Sequence, residues 1–270
     1  MRATSRVSLE RAAARFEPVL HAAGVPSSEF GEHLFALVDA LDHSGSLRRT
    51  LTDPSIDGDA KAGLVRTILA EAAPQVVDIA SELVRSRWSA EADLAEALEE
   101  LGFQAALASA EAGGELVRVE EELFRITRAL IGQREVRRAL FDDSVATGRR
   151  TALVDEILAG RTAPVTALIA RRATASPRGR RFVATLVHVG ELAATRRHRL
   201  VAAVTSGAEL SDAQAERLSA ILGQAYGGEV QLNVTVDTSV LGGLRVQVGP
   251  DVVDSTVLSR LDDVRRRLAS

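Results

Sequence analysis

Apolar residues recur at helical spacing through most of the chain and switch to strict alternation near its end. Leu34, Leu37, Val38 and Leu41 follow i, i+3, i+4, i+7, and Leu123, Ile126 and Leu130 fall on the same stripe further on. This period predicts further helices over 62–69, 76–86, 90–112, 151–158, 165–173 and 181–195. Leu51-Thr52-Asp53-Pro54-Ser55 and Leu140-Phe141-Asp142-Asp143-Ser144 read as turns, each with Ser or Asp available to cap the helix that follows. From Leu200 the period changes. Leu200, Val201 and Val204 suggest a strand, and Ser211-Asp212-Ala213-Gln214 is a capping box opening a helix striped by Ala215, Leu218, Leu222 and Tyr226. Val230, Leu232, Val234 and Val236 then alternate with polar residues, as do Leu244, Val246 and Val248. Leu241-Gly242-Gly243 between them reads as a turn needing positive φ, and Gly249-Pro250-Asp251 as another. A last helix would carry Val257, Leu258, Leu261, Val264 and Leu268.

The helical part repeats itself. Residues 32–70 laid on 121–159, a constant offset of 89, match at Glu32/Glu121, Leu34/Leu123, Phe35/Phe124, Arg48/Arg137, Arg49/Arg138, Asp53/Asp142, Ser55/Ser144, Leu64/Leu153 and Ile68/Ile157, among others. After a one-residue shift Pro74, Ile79 and Ala80 fall on Pro164, Ile169 and Ala170. A duplication accounts for matches at a fixed period better than shared composition does. The expected fold is mainly α: two tandem N-terminal helical bundles, 1–112 and 113–199, followed by a small α/β C-terminal domain, 200–270.

Charge changes this picture only when read by segment. The net −4 of the 270 residues divides into −8 over 1–112, +7 over 113–199 and −3 over 200–270. The densest basic stretch holds Arg171, Arg172, Arg178, Arg180, Arg181, Arg196, Arg197 and Arg199. It reads as a solvated helical face, or as a docking face for an acidic partner or for another part of this chain. A nucleic-acid binder is disfavoured, because the chain is acidic overall and its nine aromatics are not interleaved with the arginines.

Candidate chemistry is sparse. There is no cysteine, which excludes a disulfide framework, thiolate metal sites and thiol catalysis. The five histidines show no i, i+3 or i, i+4 pairing, and no GxSxG elbow or phosphate-binding loop occurs, so neither cofactor nor metal is expected. The runs Glu99-Glu100 and Glu120-Glu121-Glu122 are expected on solvated faces, and Trp88 is expected to pack between helices. No apolar run is long enough to span a membrane and no leader-like segment opens the chain, so a mature soluble protein without its own anchor is expected, with an intracellular setting as the default.

Near the C-terminus the residues carry a resemblance. Val236-Asp237-Thr238-Ser239-Val240-Leu241-Gly242-Gly243, then Val246-x-Val248-Gly249 and Val253-Asp254-Ser255-Thr256 with Leu258 and Leu261, resemble the signature of the delta subunit of F-type ATP synthase, the oligomycin-sensitivity-conferring protein family. Two departures fall on turns: the family usually has proline where Thr238 stands, and glycine between the residues corresponding to Asp254 and Ser255. The pattern from Leu47 to Leu69 resembles the family's six-helix N-terminal bundle. The extra length matches the second bundle and looks like the actinobacterial branch.

The resemblance implies a non-catalytic peripheral-stalk subunit linking alpha-subunit N-termini to the b-subunit stalk, at the cytoplasmic face of the cell membrane and held to the membrane only through the complex. It places an alpha-binding groove between the first and fifth helices, here Leu9, Ala13, Phe16 and Leu20 facing Val76, Ile79 and Leu83. It places the b contact on the C-terminal domain, with Leu258, Leu261, Val264 and Leu268 as candidates. The duplication suggests that each bundle engages its own alpha segment or stator element. Without the resemblance, a helical adaptor of another complex fits the same residues.

Overall fold

The structure is a computed structural model that describes residues 1–254 except 141, 143, 178–180, 199, 227–229, 239, 241 and 249–250. Contacts divide the chain into two compact units, Met1–Ala194 and Thr195–Ser270.

In the first unit the duplication is visible as geometry. After α1 (Ala3–Ala23) come α2 (Ser27–His43), α3 (Gly45–Thr52), α4 (Gly58–Ile68) and α5 (Pro74–Arg85). Beyond α6 (Glu91–Ala112) the series recurs as α7 (Leu116–Ala129), α8 (Arg134–Ala139), α9 (Thr147–Leu158) and α10 (Pro164–Ala175), before α11 (Phe182–His198). Local chemistry recurs as well. Ser55 donates its backbone N–H and its hydroxyl to Asp53 Oδ1, and Ser144 does the same to Asp142 Oδ1. These hydrogen bonds hold both carboxyls below their ordinary range. Pro74 and Pro164 each open their helix, where the missing N–H costs nothing.

Two apolar clusters form the interior of this unit, and α6 supplies both. Leu94, Ala95, Ala97, Leu98, Leu101, Ala105 and Ala108 join the first with α1 to α5. Phe103, Ala106, Leu107 and Ala110 join the second with α7 to α11. A helix apolar all round is what burial on every side requires. α2 reaches across in the same way: Leu34, Leu37, Val38 and Leu41 face the first cluster, while Phe35 belongs to the second and meets Phe103 edge-on at 5.2 Å. The α2/α6 crossing is close because both sides are glycine. A Cβ on Gly31 would stand 2.7 Å from the Gly102 carbonyl oxygen, and one on Gly102 would stand 2.4 Å from the Phe35 ring.

The second unit is a four-stranded sheet of β1 (Leu200–Ser206), β2 (Val230–Val236), β3 (Leu244–Val248) and β4 (Asp251–Asp254), in the order β2-β1-β3-β4. β1 and β2 are parallel, and the crossover this demands is α12 (Asp212–Tyr226); the other pairs are antiparallel. The capping box is formed as expected: Ser211 N–H donates to Gln214 Oε1 and Gln214 N–H to Ser211 Oγ. Gly242 and Gly243 have φ of 69° and 85°, the left-handed region the sequence demanded of this turn. β4 was not foreseen, because a four-residue edge strand after Gly-Pro has too few alternations to register. The expected last helix, with Leu258, Leu261, Val264 and Leu268, lies outside the described residues.

Candidate functional site

A groove of about 940 Å³ lies between α1 and α5. The two helices run antiparallel, since Ser8 Oγ donates to the Arg87 carbonyl near one end and Arg15 pairs with Glu82 at 3.2 Å further along. Ser5 fixes the start of α1: its hydroxyl donates to Asp93 Oδ2 at 2.6 Å and accepts from the Ser89 N–H at 2.9 Å. Trp88, half-buried, packs on the first cluster and donates its indole N–H to the Leu83 carbonyl, steadying the turn after α5.

Four sequence-chosen residues can be placed here. Phe16 and Ile79 line the groove floor with 1% and 6% of their surface exposed, so a guest would touch them at their edges. Leu20 and Leu83 lie deeper, fully inside the first cluster, and are not among the lining residues. Of the accompanying residues, Leu9 and Val76 are buried in that cluster and Ala13 is half-buried against it. Sequence reasoning missed the walls. Val7, 52% exposed, and half-buried Val19 supply apolar surface, and Arg11, Arg15, Asp78, Glu82, Arg85 and Arg87 form the rim. A helical wheel of α1 holds the signal, because Val7, Arg11 and Arg15 share one stripe at i, i+4, i+8 beside the buried stripe. Arg85 is tied to Asp59 at 2.8 Å. Arg11 and Arg87, both exposed, have no ion-pair partner among the described residues. The groove is therefore apolar along its floor and cationic at the end where α1 begins.

Of the two readings of the basic stretch, the solvated face holds at Arg171, Arg181 and Arg197, which are exposed, and docking onto another part of the chain holds at Arg172. Arg172 is 6% exposed and sits between Asp39 at 2.6 Å and Glu99 at 3.5 Å, with its guanidinium 4.7 Å above the Phe35 ring. The acidic runs also need correcting. Glu99 is buried, Glu100 is half-buried and meets His188 Nε2 at 2.9 Å, and Glu122 is half-buried. Burial pushes the Glu122 carboxyl up, but hydrogen bonds from Thr166 Oγ1, the Ala163 N–H and Arg118 outweigh it and hold the group below its ordinary range. A charged carboxylate is thus kept at the N-terminus of α10, where the helix dipole favours it.

Among the described residues no cluster of three His, Asp or Glu side chains is placed to hold a metal, and no helix is long and apolar enough to cross a membrane. Fold and groove together define a helical scaffold with a groove of apolar floor and charged rim. A model of the family described as "ATP synthase delta (OSCP) subunit" matches residues 104–268. The "ATP synthase subunit delta" of Beutenbergia cavernae is 55% identical over 270 residues, covering 100% of both chains. That of Kineococcus radiotolerans is 42% identical over 266 residues, covering 98% of this chain and 96% of its own. That of Streptomyces griseus subsp. griseus is 40% identical over 270 residues, covering 100% of both. The chain belongs to the ATP synthase delta (OSCP) subunit family, whose members are structural and not catalytic subunits.

Proposed function

We propose that this chain is the peripheral-stalk subunit of a proton-translocating ATP synthase, tying the catalytic head to the stalk against rotor torque. The alpha-subunit N-terminal segment docks as an amphipathic helix in the α1/α5 groove. The observation that carries this reading is the groove itself: an apolar floor at Phe16 and Ile79, walls at Val7 and Val19, and a rim of mixed charge. This combination suits helix-in-groove recognition, in which apolar anchors give affinity and rim charges set orientation. The b subunit is held by the C-terminal segment, with Leu258, Leu261, Val264 and Leu268 as its contacts. Residues 1–112, 113–199 and 200–270 serve as three functional parts, and the protein works on the cytoplasmic face of the cell membrane through its complex.

The test is capture of the full chain by an immobilised alpha-subunit N-terminal peptide, and by intact ATP synthase stripped of this subunit. Wild type is retained by both. Val7→Glu, which puts a charge on an exposed wall, loses the peptide. Retention of Val7→Glu at wild-type level, or failure of wild type to join the enzyme, would overturn the reading.

A further inference from the structure

The duplication supplies a second helix pair placed like α1 and α5. α10 repeats α5, and α6 precedes α7 as α1 precedes α2. A helix of the same chain, α2, already lies along α6 and is tied to the end of α10. At one end of α2, Ser27 Oγ donates to the Ala105 carbonyl, and Ser109 Oγ of α6 donates to the Val25 carbonyl just before α2. At the other end Asp39 accepts from Arg172 of α10 at 2.6 Å, and Asp42 accepts from Ser176 at 3.2 Å. Between these ends Phe35, 5% exposed, is held by Phe103 and the Arg172 guanidinium. Arg172 stands where the first copy has Glu82, the rim residue that holds Arg15 at the α1/α5 groove. The rim position has changed sign in the second copy, and its counter-charge is carried by α2. What α2 leaves uncovered is a hollow of about 480 Å³ beside Val25, Ala110, Val165 and Leu168, against about 940 Å³ in the first groove.

From this arrangement we infer that the second copy's groove is permanently filled by α2, so that the chain offers one docking groove for a partner helix, not two. The inference rests on reading the α1/α5 groove as a docking site. It also replaces, for alpha segments, the expectation that each bundle engages its own alpha segment or stator element. α2 cannot be exchanged readily for a free helix, because its opposite face, Leu34, Leu37, Val38 and Leu41, is buried in the first cluster and keeps it at high effective concentration. The segment matched by the family model, 104–268, takes in α10 and the end of α6, whereas α1, α2 and α5 lie outside it.

Two measurements on the full chain test this. In calorimetric titration with a synthetic alpha-subunit N-terminal peptide, wild type binds one equivalent, and Val7→Glu weakens binding about tenfold or more with no second site emerging. Two equivalents on wild type, or unchanged binding by Val7→Glu, would overturn the inference. If wild type binds no peptide, the docking reading fails, and thiol labelling then decides the inference separately. The chain has no cysteine, so Ser27→Cys, Phe35→Cys and Phe124→Cys each report a single site. The first two label about a hundredfold more slowly than Phe124→Cys if α2 stays seated. Comparable rates at all three would overturn it.

Discussion

Phe35 and Phe124 are one position in two copies of the same repeat, with opposite fates. Phe35 is 5% exposed, enclosed by Phe103 and Arg172; Phe124 is 62% exposed, with only Arg128 over its ring at 5.7 Å. The residue and its local helix are unchanged, so the difference comes from what lies beyond. α2 has a neighbouring repeat on its outer face, whereas among the described residues nothing comparable covers α7. In a stack of repeats the inner copy is buried by its neighbour and the outer one ends the stack. The comparison teaches that α2 and α6 complete the interior of the second copy, and α2 occupies its groove.

The largest test of this contrast is truncation of both rings. Phe35→Ala should cost about 3–5 kcal/mol in urea denaturation, and Phe124→Ala should stay within about 0.5 kcal/mol. Equal losses would break the comparison. Next comes the shared helix. Leu98 faces the first cluster and Phe103 the second, both fully buried, so each alanine variant should cost about 2–5 kcal/mol. Because α6 belongs to both interiors, each variant should lower one common unfolding transition of the first unit. Two separated transitions would mean the copies unfold independently.

Glycine substitutions give a smaller effect with a change of sign. Gly31→Ala drives a methyl against the Gly102 carbonyl and should cost about 1–3 kcal/mol. Gly63→Ala in α4 meets only the tip of Arg66 at 3.9 Å and should stabilise by about 0.5–1 kcal/mol. Differential scanning calorimetry of the two variants checks both signs.

The smallest effect is acid dependence at Glu122. Its folded pKa lies below the ordinary 4.5, so it stabilises the fold above that value, and the contribution is lost as pH falls through the folded pKa. Glu122→Gln should therefore flatten the acid limb of a stability-pH curve.

Much of this fold was legible along the chain because it is written in local signals. Periodicity gave the helices, the constant offset gave their recurrence, and Asp53-x-Ser55 with Asp142-x-Ser144 gave the same turn twice. The capping box at Ser211 and the positive φ at Gly242 and Gly243 follow from residue type alone. The sharing of α6 was not legible, since an all-round apolar helix looks the same whether it lies in one interior or between two. Glu99 and Glu100 were misplaced on the surface, and Arg172 was left between a solvated and a docking face, because a charged residue reads as exposed until its partner, here distant in sequence, is brought beside it. The groove was read in part for a similar reason. Phe16 and Ile79 were placed there by the family resemblance, while Arg11 and Arg87 gain meaning only once α1 and α5 lie side by side.

The central claim, an open groove in the first copy and a closed one in the second, is tested most directly by hydrogen exchange on the full chain with and without the alpha-subunit N-terminal peptide. Slowing confined to α1 and α5, with α6 and α10 unchanged, is the predicted result. Slowing along α6 and α10 with α1 and α5 unchanged would contradict the account.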